Sequence, residues 1–86
     1  MGKHDSTLAK IFHEPPLPSI PWKDIVSLFE KHGAEITQGS GSRVHVVLND
    51  VTGSFHRPHP RKETDKGCVV SVRTFLENAG VTPWSN

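Results

Sequence analysis

Arg43-Val44-His45-Val46-Val47-Leu48-Asn49 is the stretch that organises this chain. Apolar residues fall at every second position and β-branched residues dominate, so the segment predicts a half-buried β-strand. Val44, Val46 and Leu48 share one face, turned toward a core. Arg43, His45, Val47 and Asn49 share the other, turned toward water.

Gly39-Ser40-Gly41-Ser42 precedes this strand as a turn, and Ala34 to Gln38 precedes the turn as a short strand with Ala34 and Ile36 on one face. On the other side, Asn49-Asp50-Val51-Thr52-Gly53 reads as a hairpin connection. A third short strand then runs through Ser54, Phe55 and His56, with Phe55 inward and His56 outward. Pro58 and Pro60 forbid continued central pairing.

Helices flank the strands. Pro21 suits a helix start, and Trp22, Ile25, Val26 and Phe29 follow at helical spacing, with Leu28 widening the stripe and Gly33 as the stop. This predicts a helix over 21–32. Thr64 or Asp65 can cap a second helix whose apolar stripe is Val69, Val72, Phe75, Leu76 and Ala79, ended by Gly80. Near the N-terminus, Ser6 or Thr7 can cap a short helix through Leu8, Ile11 and Phe12, and Glu14-Pro15-Pro16-Leu17-Pro18 ends it.

The order helix, three strands, helix has an economical solution. Both amphipathic helices pack on the apolar face of a three-stranded antiparallel sheet, and the other face stays open. That is an α+β, α-β-β-β-α architecture like that of a double-stranded RNA-binding domain. Residues 1–19 then form an N-terminal extension of short helix and proline-rich linker, 20–82 the domain and 83–86 a tail that carries Trp84.

Composition sets limits. Eighty-six residues make one domain with a modest core. The single Cys68 excludes an internal disulfide framework and a cysteine-based zinc site, and a reducing, cytoplasmic setting fits it best. No run is long enough to span a membrane. Net charge is only +1, but residues 42–73 hold six cations and three anions. A local basic patch of this kind attracts phosphate, although the same charges also suit a plain solvated surface.

The pieces WKDIVSLFEKHG, GSRVHVVLN, FHRPHPRKETDKG and VVSVRTFLENAGV, in this order and spacing, resemble the HicA toxin family, the small partner of HicA–HicB toxin–antitoxin pairs. The resemblance covers residues 20–82. It implies a double-stranded-RNA-binding-like fold and a metal-independent endoribonuclease acting on messenger RNA. It also implies a HicB-like antitoxin that covers the active face. The family's catalytic histidine follows a Gly-Ser turn directly or after one residue. Here Gly41-Ser42 is followed by Arg43 and Val44, and the nearest histidine is His45. Alignment with Arg43 leaves His45 two residues on, projecting from the same open face; alignment with Val44 falls on a core-facing residue with His45 on the opposite face, so the first is chemically the more sensible.

RNA cleavage without metal requires the 2′-hydroxyl to attack its own phosphate. An imidazole can accept that proton, and a guanidinium can stabilise the charge that builds on phosphorus-bound oxygens. His45 is the candidate base and Arg43 the charge stabiliser. Ser42, His56, Arg57, His59, Arg61, Lys62, Lys66 and Arg73 are the candidate RNA contacts. Lys66 and Gly67 open the second helix, where free N–H groups favour an anion, and Arg73 is expected further along its exposed side. His59 belongs to the family's His-Pro step, with ordering of the turn as its first role. His56-x-x-His59 is half a metal site at most, so no cofactor is expected. Two other classes compete with the toxin nuclease: an RNA-binding module without catalysis, and a protein-interaction module using the open face or proline-rich arm.

Overall fold

The computed structural model describes residues 2–17, 19–58 and 63–84. Its elements are α1 (Lys3–Ile11), β1 (Ile20–Pro21), α2 (Trp22–Lys31), β2 (Glu35–Gln38), β3 (Arg43–Leu48), β4 (Val51–His56), β5 (Glu63–Thr64) and α3 (Lys66–Asn78). This is the expected α+β order of helix, three strands and helix, with an added N-terminal helix. Pro60, to which the sequence reading gave a strand-ending role, and Pro18 lie outside the described residues.

β3 is the central strand of an antiparallel sheet ordered β2-β3-β4. Its burial alternates as the sequence predicts: Val44, Val46 and Leu48 are buried, and Arg43, His45 and Val47 are exposed. Phe55 is buried and His56 exposed on β4, also as expected.

The β3–β4 connection is tighter than the sequence reading has it. Asn49 and Asp50 both take positive φ, 51° and 67°, which makes a two-residue turn whose twist matches the strands it joins. Leu48 pairs directly with Val51. Gly53 is therefore a strand residue rather than part of the turn. Its reason for being glycine is packing: a Cβ there would sit 2.6 Å from Phe75 Cδ1.

The helices cover the inward face. Trp22, Ile25, Leu28 and Phe29 of α2 are buried, with Val26 at the margin, so Leu28 holds the core position that the sequence reading gave to Val26. Asp65 caps α3 by accepting from the Cys68 N–H at 2.8 Å, and Val69, Val72, Phe75, Leu76 and Ala79 are all buried. Phe29, Phe55 and Phe75 meet in the middle, with ring centroids 5.6–5.9 Å apart. Such ring pairs add about 0.5–1.5 kcal/mol each beyond the area they bury. Gly33 and Gly80 end α2 and α3 at φ +83° and +81°, a region that L side chains avoid.

The N-terminal segment folds back onto this unit. α1 begins at Lys3 with Gly2 as its cap, not at Ser6 or Thr7. Thr7 cannot serve as a cap because it is buried, and its hydroxyl donates to the Lys3 carbonyl. Ile11 is fully buried. Lys3 pairs with Asp24 at 3.0 Å, and His4 Nε2 lies 2.8 Å from Ser27 Oγ, so α1 is tied along α2. β1 and β5 form a two-residue bridge, unforeseen in the sequence, that joins the segments entering α2 and α3. Trp84 packs edge-on against Phe12, centroids 5.4 Å apart. No helix among the described residues is long and apolar enough to cross a membrane.

Candidate functional site

With the helices on the inward face, the other face of the sheet is a plane of side chains open to water. The register sets the neighbours on it. Arg43 lies opposite His56, His45 opposite Ser54 on β4 and opposite Thr37 on β2. Cross-strand neighbours of this kind have Cβ atoms about 4.5–5.5 Å apart. Arg43 and His45 are successive same-face residues of β3, so the four side chains Arg43, His45, Ser54 and His56 make one cluster. Val44, the other position aligned with the family histidine, is in the core.

His45 is held on both sides. Its Nδ1 lies 3.1 Å from Ser54 Oγ. Its Nε2 lies over Gly39, where a Cβ would come within 2.8 Å of it. When Nδ1–H donates to the serine oxygen, Nε2 carries the free lone pair and is the atom that can take a proton. The Gly39 turn is closed by two hydrogen bonds, Gly39 N–H to Arg43 O at 2.8 Å and Arg43 N–H to Ser40 O at 3.1 Å. The turn thus sets the ring and the start of the ring's own strand together.

The cations gather at the same end of the sheet. Arg57 follows β4, and its N–H donates to the Ser42 carbonyl at 2.8 Å. His56 shares a cleft of about 330 Å³ with Asp65, Gly67 and Cys68. Lys66, exposed, begins the helix that forms the cleft's other wall. Glu35 is the acid on the open face of the three strands, and it lies opposite Val47, away from this end. Cys68 is no nucleophile here: burial first, and the Asp65 carboxylate second, push its thiol up to about 11.

Arg73 departs from the expectation. Its side chain is only 15% exposed, and its guanidinium turns onto the N-terminal segment. It donates to the Ile11 carbonyl at 3.2 Å, the His13 carbonyl at 2.8 Å and the Glu14 carboxylate. Its position on α3 follows from helical spacing, but the segment it meets lies about sixty residues earlier in the chain, beyond any local pattern. His59, Arg61 and Lys62 lie outside the described residues.

Sequence reasoning missed two contributors, Ser54 and Gly39. Ser54 has the same parity on β4 as His56, and that signal puts it on the open face. Gly39 reads only as a turn residue until the ring above it is seen. A second cleft, of about 550 Å³, lies between α1, the end of α2 and the tail, lined by His4, Asp5, Lys31 and His32 among others. Burial, then Lys31 and His4, lower the pKa of His32 there. None of the described candidate site residues lines this cleft.

A family model, the HicA toxin of bacterial toxin–antitoxin systems, matches residues 22–81, which is more than half of the chain. The chain belongs to the HicA toxin family. No curated protein and no solved structure matches it. As a HicA toxin it acts within a toxin–antitoxin system and has an antitoxin as its partner. The match begins with α2 and ends just past Gly80, so α1 is an addition to the matched unit, clasped to it by Arg73.

Proposed function

We propose that this HicA toxin is an endoribonuclease that cleaves messenger RNA without a metal cofactor, with His45 as general base. The observation that carries the reading is the His45–Ser54 pair at 3.1 Å, set beside Arg43 and His56 on the open face. His45 Nε2 takes the proton of a ribose 2′-hydroxyl as its oxygen attacks the adjacent phosphorus. The bond to the 5′-oxygen of the next nucleotide breaks, leaving a 2′,3′-cyclic phosphate and a 5′-hydroxyl. Arg43 stabilises the charge on the non-bridging oxygens. His56, opposite it, contacts the phosphate or protonates the leaving oxygen.

Ser42, Arg57 and Lys66 extend the basic end and hold the backbone of the RNA, with His59, Arg61 and Lys62 assigned the same role. The shape and 2′-hydroxyls of A-form RNA suit such a surface. Arg73 is left to the N-terminal segment. The setting proposed is the cytoplasm, where messenger RNA is found.

The test is to incubate the protein with a long messenger RNA in excess EDTA and characterise the product ends. The reading predicts 2′,3′-cyclic phosphate and 5′-hydroxyl termini, and an intact DNA copy of the same sequence. Intact RNA in the presence of folded protein would leave an RNA- or protein-binding module in its place.

A further inference from the structure

Among the described residues, the sheet leaves one long edge unpaired at the site. The Arg57 N–H to Ser42 O bond fixes the phase of the β3–β4 ladder. Ser42/Arg57, Val44/Phe55, Val46/Gly53 and Leu48/Val51 face each other across it as the bonded pairs. Thr52, Ser54 and His56 therefore turn their N–H and C=O groups away from β3. Among the described residues no strand pairs with that edge. β4 also lacks the usual guards against strand addition, since it contains no proline and no lysine.

Beside the edge runs an open trench between β4 and α3. One part, about 330 Å³, is lined by Ser54, Phe55, His56, Gly67, Cys68 and Ser71, with the Asp65 carboxylate, the cap of α3, at its wall. The next, about 230 Å³, continues past Gly53 to Thr74, Phe75 and Asn78. A strand laid along β4 would drop every second side chain into this trench and raise the others onto the open face. Phe55 and Phe75 give the trench an apolar floor, while the raised side chains would stand beside His56 and Ser54, next to Arg43 and Arg57. That end of the face is cationic, and the face's one strand acid, Glu35, is on the far strand β2.

We infer that the outer edge of β4 is a docking site for an extended segment of the antitoxin, alternating small apolar and acidic residues, which adds as a fourth strand. The apolar residues fill the trench, and the acidic ones set carboxylates over the Arg43–His56 end. Docking and occlusion of the open face are then one event. The inference rests on membership of a toxin–antitoxin family. Its blocking role rests on the proposed nuclease site.

Amide chemical shifts, read in the absence of RNA, test it. The full chain is titrated with a short synthetic peptide of alternating glutamate and valine. Saturable shifts are expected at the Thr52, Ser54 and His56 amides. They are lost when the peptide is N-methylated at alternate residues, which blocks strand pairing. Binding weakens by about 10-fold when lysine replaces glutamate. Thr52→Pro removes an outward N–H that the β3 ladder does not use, and it is expected to lose the peptide while keeping the spectrum of the folded sheet. No shift at these three amides, from folded protein, overturns the inference. So do shifts that appear on concentrating the toxin alone, which would assign the edge to a second copy. Shifts at the same amides with a 2′-O-methyl RNA but not with the peptide would assign it to RNA. A failed cleavage assay leaves this titration unaffected, so the two readings fail separately.

Discussion

Ser54 Oγ lies 3.1 Å from His45 Nδ1, across adjacent strands and on the face of the sheet opposite the helices. A hydroxyl in that position restrains the tilt of the imidazole, and when Nδ1–H donates to it Nε2 keeps the free lone pair. The contact belongs to the exposed face, so its worth to folding is small, and in the proposed nuclease its part is to orient the ring.

Ser54→Ala removes that hold and leaves the ring free to rotate. A neutral hydrogen bond is worth about 1 kcal/mol, or roughly 5-fold in rate. The expected outcome is a fall of that size in kcat for RNA cleavage with KM little changed. Ser54→Thr keeps the hydroxyl and is expected to restore most of it. Steady-state kinetics on one RNA substrate separates the two parameters.

Gly39→Ala tests the other side of the ring. The new methyl would lie 2.8 Å from Nε2 and 3.1 Å from Cδ2, so the imidazole must swing away from its place over the turn. Misplacement of a reacting group by about 1 Å costs on the order of 100-fold in rate. The side chain that yields is exposed and flexible, so stability is expected to change little. Cleavage rate and urea denaturation on the same preparation check both halves.

Much of this site is legible in the sequence, and the reason is parity. A strand that alternates strictly puts Arg43 and His45 on one face as soon as Val44 and Val46 are in the core. His56 follows from Phe55 in the same way. The hairpin length is not legible, because Gly53 is the obvious turn residue and its true constraint is Phe75, an α3 residue twenty-two positions away. Asn49 and Asp50 tolerate positive φ, which is the local signal for the tighter turn. The start of α1 is hidden for a similar reason. Ser6 and Thr7 are good caps by type, but burial of Thr7 and Ile11 against the later helices decides the matter.

Arg73 is the clearest case of a role set by distant chain. Arg73→Ala removes the donors to two α1-proximal carbonyls and the Glu14 carboxylate. Stability is expected to fall by about 2 kcal/mol, measured by urea denaturation. Tryptic cleavage after Lys10 is expected to quicken, because the clasp on the N-terminal segment opens. RNA affinity is expected to stay near the wild-type value, in contrast to Lys66→Ala. An unchanged denaturation midpoint with a large loss of RNA affinity would return Arg73 to the RNA-contacting set.

Cys68 gives a pH dependence with a defined sign. Burial and Asp65 raise its thiol from 9.0 to about 11, so the folded protein holds the proton more tightly than the unfolded chain. The stability this contributes is complete below pH 9 and is lost as pH rises from 9 toward 11. Cys68→Ala is expected to flatten that part of the stability profile. Alkylation by iodoacetamide at pH 8.5 is expected to be about 100-fold slower in the folded protein than in urea, following the fraction of thiolate.

If His45 is the base of the proposed nuclease, its removal abolishes most of the cleavage. Single-turnover cleavage of a long messenger RNA in EDTA is compared between the wild type and His45→Ala, with folding of both checked by circular dichroism. General-base catalysis contributes about 100- to 10,000-fold, so a loss in that range is predicted, with RNA still bound. Cleavage by His45→Ala at the wild-type rate would contradict the account.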